Sequence, residues 1–207
     1  KCLDSTEGSD YIYTISTQGH GAYPEEQLID DPEITVTGSA TEAQNNQWEY
    51  YCNEIHEMDN FVKELTDALA DYPEDVILVM YGDHLPTMGL TVEDLKNKYL
   101  FQTQYVMWDN FGMEKKDVNL AAYQMAAEVM DRAGIHEGTI FRYHQARRNT
   151  RNYQVDLETL QYDLLYGDRY SYKENGETFE RTKMHMGLYD VSLDSMELVS
   201  DTDFTYR

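Results

Sequence analysis

The chain has 207 residues, of which 39 are acidic and 16 basic, so its formal net charge is -23 and its pI is about 4.4. This charge argues against nucleic-acid binding through a basic footprint and against general adhesion to an anionic membrane surface. Hydrophobic residues make up 41% of the chain, which argues against global disorder, and the length fits one domain over residues 1–207. No segment approaches the roughly 18 apolar residues that a membrane span needs.

The chain begins Lys1-Cys2-Leu3-Asp4 without an initiator methionine, which indicates a cut inside a longer protein. Its two cysteines, Cys2 and Cys52, lie fifty positions apart and match no zinc or redox spacing. They are interpreted as two buried or half-buried thiols. The alternative is a disulfide, which would need an oxidising compartment.

The first half of the chain predicts a strand, a helix and a second strand. Residues 11–17 have the β-propensity of a strand, and residues 25–46 are polar enough for a surface loop or a lid. A helix of about 24 residues follows, because apolar residues recur at steps of three and four. Pro73 ends it, and the apolar run over residues 76–81 predicts a buried parallel strand. The apolar positions of the helix are Trp48, Tyr51, Ile55, Met58, Val62, Leu65 and Leu69.

The second half predicts short elements. Thr91 and Asp94 form a capping-box pattern for a short helix over residues 91–100, and residues 103–108 have the character of a third strand. The remaining expectations are a loop over 111–118, helices over 120–130, 139–147 and 157–165, glycine caps at Gly134 and Gly167, a hairpin pairing 170–173 with 178–180 around Asn175-Gly176, and another hairpin within 183–199. The order predicts an α/β sandwich with a mostly parallel central sheet and C-terminal antiparallel hairpins.

The candidate site follows the predicted strand at residues 76–81. Gly82 lets the chain leave the strand, and Asp83 and His84 then offer a carboxylate oxygen and an imidazole nitrogen, a usual pairing for zinc or a transition metal. The alternative is an N-cap aspartate beside an exposed histidine. His20 lies between two glycines at another predicted strand end, so we expect its imidazole within about 10 Å of that of His84. No residue can be picked as a nucleophile.

Two weaker candidates lie elsewhere. His144 sits among basic residues that either bind an anion or form a solvated helix face paired with local acids, and the second interpretation is favoured. These basic residues are Arg142, Arg147, Arg148 and Arg151. The eighteen tyrosines are assigned mainly to packing, with carbohydrate or lipid-headgroup contacts as the alternative.

Two motifs resemble the lipoteichoic acid synthase-like sulfatases of the alkaline phosphatase superfamily. They are the stretch from Tyr13 to Pro24, which contains Thr17-Gln18-Gly19-His20-Gly21, and Tyr81-Gly82-Asp83-His84-Leu85-Pro86. The helix between them, the Trp108-Asp109-Asn110-Phe111-Gly112 stretch and Leu120-Ala121-Ala122-Tyr123-Gln124 are also similar to members of this group. The resemblance extends to about Leu165.

The resemblance implies a fold, a reaction and a set of site residues. Family members are membrane-anchored proteins whose catalytic domain lies on the extracellular face of the membrane. That domain transfers glycerol phosphate from phosphatidylglycerol through a covalent phosphothreonine. Asp83 and His84 match the family's metal-binding pair, and His20 matches its substrate-binding histidine. The metal would be manganese, with magnesium, calcium or zinc as alternatives.

The family's nucleophile and its first acidic ligand precede the strand that carries the histidine, so this chain would be the C-terminal portion of one catalytic domain. Its expected partners are an anionic lipid headgroup or teichoic-acid-type polymer, together with the missing N-terminal half or a second copy of the chain. Three functions stay open: a phosphoglycerol transferase fragment, a sulfatase or phosphodiester hydrolase fragment of the same superfamily, and a non-catalytic module that binds the cell envelope.

Overall fold

A computed structural model describes residues 3–4 and 7–173 of the chain. The chain divides after residue 119 into two compact units. The described elements, in chain order, are α1 (Glu42–Ala70), β1 (Ile77–Tyr81), β2 (Tyr105–Asp109), α2 (Met125–Arg132), α3 (Thr139–Arg147), α4 (Tyr153–Leu165) and α5 (Tyr170–Lys173), with single 3-10 turns at Val92–Asp94 and Ala122–Gln124. None of the described helices is long and apolar enough to cross a membrane.

The long helix α1 confirms the predicted apolar period and extends it to 29 residues. It begins where the hydroxyl of Thr41 accepts a hydrogen bond from the Gln44 backbone N–H at 3.1 Å, a standard N-cap. It ends at Ala70, three residues before Pro73, which lacks the N–H that a continuing helix needs. The predicted loop over 25–46 is therefore too long, because its last residues form the first turn of α1.

The sheet of the first unit differs from the prediction. β1 pairs with β2 antiparallel, with Ile77 opposite Asp109 and Tyr81 opposite Tyr105, so the expected mostly parallel sheet is wrong for the described residues. A parallel return would use a crossover helix. Residues 82–104 supply only the single turn at Val92–Asp94, and the chain comes back in the opposite direction. β1 is half-buried rather than buried.

The predicted strand over residues 11–17 is also wrong, because this segment forms no strand among the described residues. Its side chains are largely exposed, and the most exposed are Tyr11 and Ile15. High β-propensity describes side chains that suit a pleated surface, but a strand also needs a neighbour that completes its hydrogen bonds. The side chain of Tyr13 does reach the sheet, since the Tyr81 hydroxyl donates to the Tyr13 hydroxyl at 3.3 Å.

Asn110 joins the end of α1 to the sheet. Its side-chain oxygen accepts from the Val76 N–H at 2.8 Å, and its amide nitrogen donates to the carbonyls of Leu69, Tyr72 and Glu74 at 2.9–3.2 Å. The side chain thus satisfies backbone groups that the helix end and the following loop leave unpaired. This bonding explains structurally why an asparagine stands in the Trp108–Gly112 motif.

Residues 25–40, here called the strap, are held against α1 by polar side chains of that helix. Glu49 accepts hydrogen bonds from the side chain of Gln27 at 2.5 Å and from the backbone of Val36 at 3.1 Å. Asn53 both accepts from and donates to the backbone of Ile34. Glu49 and Asn53 are buried, and the strap supplies the hydrogen-bond partners that water would otherwise provide for these polar groups.

The described part of the second unit is helical, and the sequence predicted helices there as far as residue 165. α2 ends in a Schellman motif, in which Ile135 N–H donates to the Met130 carbonyl and Gly134 N–H to the Asp131 carbonyl. Gly134 has φ +74°, a backbone conformation that favours glycine, and this confirms it as the residue after the cap. The predicted helix over 139–147 is confirmed by α3, and α4 starts four residues before the predicted position 157.

The expected hairpins have mixed outcomes. The first was to begin with a strand over residues 170–173, but these residues form the short helix α5, so that pairing is wrong. The backbone of Ser171 donates to the Asp163 carboxylate at 2.9 Å, which ties α5 to the end of α4. Asn175-Gly176, residues 178–180 and the second hairpin within 183–199 lie outside the described residues.

Candidate active site

Asp83 and His84 follow β1 after a single residue, Gly82, and lie close to each other. One carboxylate oxygen of Asp83, Oδ1, accepts the backbone N–H of His84 at 2.9 Å. The other oxygen, Oδ2, lies 3.7 Å from His84 Nε2. Both side chains are largely exposed. A carboxylate oxygen and an imidazole nitrogen therefore lie side by side on one loop.

A hydrogen bond to the backbone fixes the imidazole of His84. Its Nδ1 lies 2.8 Å from the carbonyl oxygen of Leu85, and because a carbonyl can only accept, Nδ1 must carry the proton. In the neutral ring, Nε2 then keeps its lone pair. Metal-binding histidines usually donate their second ring N–H to such a partner, which sets the orientation of the ring.

The spacing of Asp83 Oδ2 and His84 Nε2 fits a shared metal ion. Two ligand atoms, each about 2.0–2.2 Å from one ion, lie about 3–3.5 Å apart in tetrahedral or octahedral geometry. The observed 3.7 Å needs only a small closure. The described residues contain no group of three or more histidines, cysteines or acidic residues that could hold a metal, so the two residues would supply only part of a ligand set.

His20 is held in a similar way in the loop after residue 17. Its Nδ1 lies 2.5 Å from the carbonyl oxygen of Gly21, and its backbone N–H donates to the Thr17 carbonyl at 3.1 Å. The bond to a carbonyl again places the proton on Nδ1 and leaves Nε2 for another partner. Protonation would make Nε2 a donor as well, which suits an anionic ligand.

The loop of His20 and the loop of Asp83 and His84 are neighbours. A Cβ atom built on Gly21 would stand 3.3 Å from the Thr87 hydroxyl, three residues after His84. The sequence analysis predicted this proximity because it assigned the two loops to the ends of two adjacent parallel strands. The structure brings the loops together without such strands, and the expected distance of about 10 Å between the imidazoles stays a prediction.

Tyr81 and Tyr13 beside this site were missed by the sequence reasoning. The hydrogen bond to Tyr13 raises the pKa of Tyr81, with burial and nearby charges as smaller causes. Tyr81 is the last residue of β1, two positions before Asp83, so the pair borders the candidate ligand loop. The Tyr-Gly-Asp-His motif includes Tyr81. Its partner Tyr13 is 68 positions away and could not be found from the spacing of residues.

Two of the basic residues around His144, in the second unit, pair with local acids. Arg148 pairs with Glu128, which is only 1% exposed, and Arg147 pairs with Asp156 at 3.5 Å. The expected pairing with local acids is therefore confirmed for these two arginines. His144 is buried, and its Nδ1 lies 2.6 Å from the Tyr153 hydroxyl, so the idea of a solvated face is wrong at this residue.

Cys52 is a free, half-buried thiol on α1, and burial raises its pKa. A raised pKa reduces the thiolate fraction, so this residue lacks the character of a nucleophile. Cys2 lies outside the described residues.

Comparison with known families gives the class of protein. The family model described as Sulfatase matches residues 1–135, about two thirds of the chain. This range contains His20, Asp83 and His84. The chain belongs to the sulfatase family, within the alkaline phosphatase superfamily. Members of this family are typically metal-dependent, which agrees with the chemistry of the Asp83–His84 pair.

Among individual proteins, the chain is similar to one from Rhizobium meliloti (strain 1021) named "Putative cyclic beta-1,2-glucan modification protein". The two are 24% identical over 232 aligned positions, which cover 92% of this chain. The chain spans 35% of the length of that relative. No solved structure matches the chain significantly.

Proposed function

We propose that the chain is the C-terminal portion of the catalytic domain of a metal-dependent phosphoglycerol transferase acting on phosphatidylglycerol-type phosphodiesters. The observation that carries the proposal is the pairing of Asp83 Oδ2 and His84 Nε2 at 3.7 Å, with the other ring nitrogen fixed by a backbone carbonyl. The resemblance of the surrounding motifs to lipoteichoic acid synthase-like sulfatases supplies the reaction class.

Each described site residue has a distinct role in this proposal. Asp83 and His84 would hold a divalent ion, with manganese as the first candidate and magnesium, calcium or zinc as alternatives. Such an ion lowers the pKa of an attacking hydroxyl and neutralises phosphoryl oxygens. His20, protonated at both ring nitrogens, would donate from Nε2 to an anionic oxygen of the substrate. The nucleophile would be a threonine upstream of this chain.

The acceptor is proposed to be a glucan hydroxyl. The Rhizobium relative is named for modification of a cyclic β-1,2-glucan. Transfer of glycerol phosphate onto a glucan would combine that name with the phosphoglycerol chemistry of the motif resemblance. A teichoic-acid-type polymer is the alternative acceptor. A lipid donor and an envelope polymer would both be reached from the extracellular face of a membrane. We therefore propose that the domain lies on that face, with the anchor elsewhere in the parent protein.

The upstream half of the domain is the proposed partner of the first unit. The segment 11–17 exposes Tyr11, Ile12, Tyr13 and Ile15, and β1 and β2 form a sheet of only two strands in the described residues. Both features suit added strands that bury apolar side chains and complete backbone hydrogen bonds. Self-association through the same surface is the competing outcome. Since the described residues hold only a partial ligand set, we expect the chain alone to bind manganese weakly.

The test uses the complete parent protein with manganese and phosphatidylglycerol that carries a labelled glycerol headgroup. The reaction is run with cyclic β-1,2-glucan, with a teichoic-acid-type polymer, and with water as the sole acceptor. We expect label on the glucan and diacylglycerol as the second product. Release of free glycerol phosphate at the same rate in all three reactions would show a phosphodiester hydrolase instead.

A matched reaction with an aryl sulfate distinguishes sulfate from phosphate chemistry. Turnover of the sulfate ester but not of phosphatidylglycerol would contradict the transferase proposal and favour a sulfatase. Binding of the polymer without turnover of either ester, at any divalent ion tested, would favour the non-catalytic envelope-binding module.

A further inference from the structure

Tyr23 is the buried aromatic residue that follows the His20 loop. Its hydroxyl donates a hydrogen bond to the carbonyl of Gly19 at 2.7 Å. Its ring packs edge-on against Tyr51 of α1, with ring centroids 5.7 Å apart and planes at 82°. Tyr23 is only 9% exposed. One side chain therefore connects the loop that carries His20 to the longest helix of the first unit.

The two glycines that flank His20 let the loop pack closely on both sides. A Cβ atom on Gly19, which has φ +81°, would stand 2.9 Å from the terminal methyl of Ile55 on α1. A Cβ on Gly21 would stand 3.3 Å from the Thr87 hydroxyl and 3.4 Å from the ring of Tyr23. The His20 loop is thus in close contact with α1 at Gly19 and with the loop that carries Asp83 and His84 at Gly21.

The hydroxyl of Tyr23 remains a donor over the physiological pH range. Burial is the main cause that raises its pKa above the ordinary value, and the neighbouring Tyr51 adds to the effect. The hydrogen bond to Gly19 is therefore not lost by titration near neutral pH. Its removal requires a substitution.

We infer that Tyr23 is a positioning residue for His20: its hydroxyl fixes the loop between α1 and Thr87, and so sets where the His20 imidazole meets the anionic substrate. This inference rests on the proposed function for the role of His20. Tyr23 contacts the loop that carries His20. Its loss should act through His20 and leave the metal pair in place.

The experiment compares Tyr23→Phe, which keeps the ring and removes only the hydroxyl, with Tyr99→Phe as a control, since Tyr99 is an exposed tyrosine of the same unit. Both are made in the complete parent protein. In Tyr23→Phe we expect the His20 amide to exchange hydrogen about three- to tenfold faster, the effect of losing one hydrogen bond. We expect kcat/KM for the ester to fall by a similar factor, mainly through KM, because His20 binds substrate. The control should change neither quantity.

A double-mutant cycle separates positioning from a general loss of stability. In the His20→Ala background, Tyr23→Phe should cause no further fall in kcat/KM, since the residue that it positions is already absent. An equal fall in that background would overturn the inference. So would an unchanged exchange rate of the His20 amide in Tyr23→Phe.

The exchange measurement does not depend on the reaction. If the wild-type protein turned over no phosphodiester, the proposed function would fail, and amide exchange at His20 would still decide whether Tyr23 holds the loop. Faster exchange would support the positioning role, and unchanged exchange would remove it.

Discussion

His84 in the first unit and His144 in the second show two opposite environments for an imidazole. The side chain of His84 is 61% exposed, with one ring nitrogen bonded to a backbone carbonyl and the other facing a carboxylate oxygen. His144 is 5% exposed, bonds to the Tyr153 hydroxyl and lies among aromatic rings. The first ring presents a nitrogen to the outside, whereas the second is enclosed by its own unit.

The surroundings of the two histidines differ in the same way. Near His144, Arg148 pairs with the buried Glu128, and the ring of Tyr143 stacks on Tyr153 with centroids 5.7 Å apart. These polar groups find their partners inside the unit, which is the pattern of a packed interior. Near His84 the polar atoms are exposed and only partly bonded. The difference indicates that the polar groups around His144 serve stability, and it agrees with the binding role proposed for His84.

The largest expected effect concerns stability in the second unit. Glu128→Ala leaves Arg148 partly buried without its partner, and removing one member of a buried pair costs about 3–5 kcal/mol. We expect hydrogen exchange in α2, α3 and α4 to accelerate strongly, measured by mass spectrometry. Asp117→Ala, which breaks the exposed pair with Lys115, is the control and should change little. If hydrogen exchange in Glu128→Ala were as slow as in the wild type, a stabilising role for the Arg148–Glu128 pair would be refuted.

The second prediction applies the opposite reasoning to the exposed site. His84→Ala should reduce turnover of the complete protein by at least about a hundredfold, since even changes beyond the direct ligands cost 10–100-fold. Hydrogen exchange across β1 and β2 should stay the same, because the exposed side chain contributes little packing. His136→Ala is a matched control, since His136 is also 61% exposed and carries a hydrogen bond. Full activity in His84→Ala would remove this residue from the proposed site.

This comparison also explains which features the sequence could predict. α1 was predictable from local signals, the recurrence of apolar residues at steps of three and four and the breaker Pro73, but its start at the Thr41 cap was not predicted. The bounds of α3 were also predicted from the sequence. Gly134 was predictable because a Schellman motif needs φ above zero at one position. Asp83 and His84 were selected because a carboxylate and an imidazole follow an apolar strand, which is again a local pattern.

The errors concern partners that lie far apart in the chain. Residues 11–17 have side chains that suit a strand. Their sequence does not show whether another strand lies beside them to complete the backbone hydrogen bonds. The direction of β2 depends on whether the connection forms a helix, and residues 82–104 do not. The burial of His144 could not be predicted because its partner Tyr153 follows nine positions later, across a turn between two helices. Burial at that point is a tertiary property.

The smallest expected effect is a pH dependence of the second unit. Burial lowers the pKa of His144, so the folded state disfavours the charged ring. As pH falls below the ordinary value of about 6.5, the unfolded chain takes up a proton that the folded chain does not, and stability falls. The slope from this one group is at most about 1.4 kcal/mol per pH unit and ends once the folded imidazole also protonates.

The measurement is the free energy of unfolding of the second unit between pH 7.5 and about 5, from hydrogen exchange in α3 and α4 corrected for the intrinsic rate at each pH. His144→Gln keeps a polar side chain and removes the titration, so its profile should be flatter than that of the wild type by the slope given above. His84→Gln is the matched control, because an exposed imidazole contributes little to the stability of the fold, and its profile should follow that of the wild type. Parallel profiles for wild type and His144→Gln would show that the buried ring is charged at no stability cost. The contrast between the buried His144 and the exposed His84 would then not hold for His144.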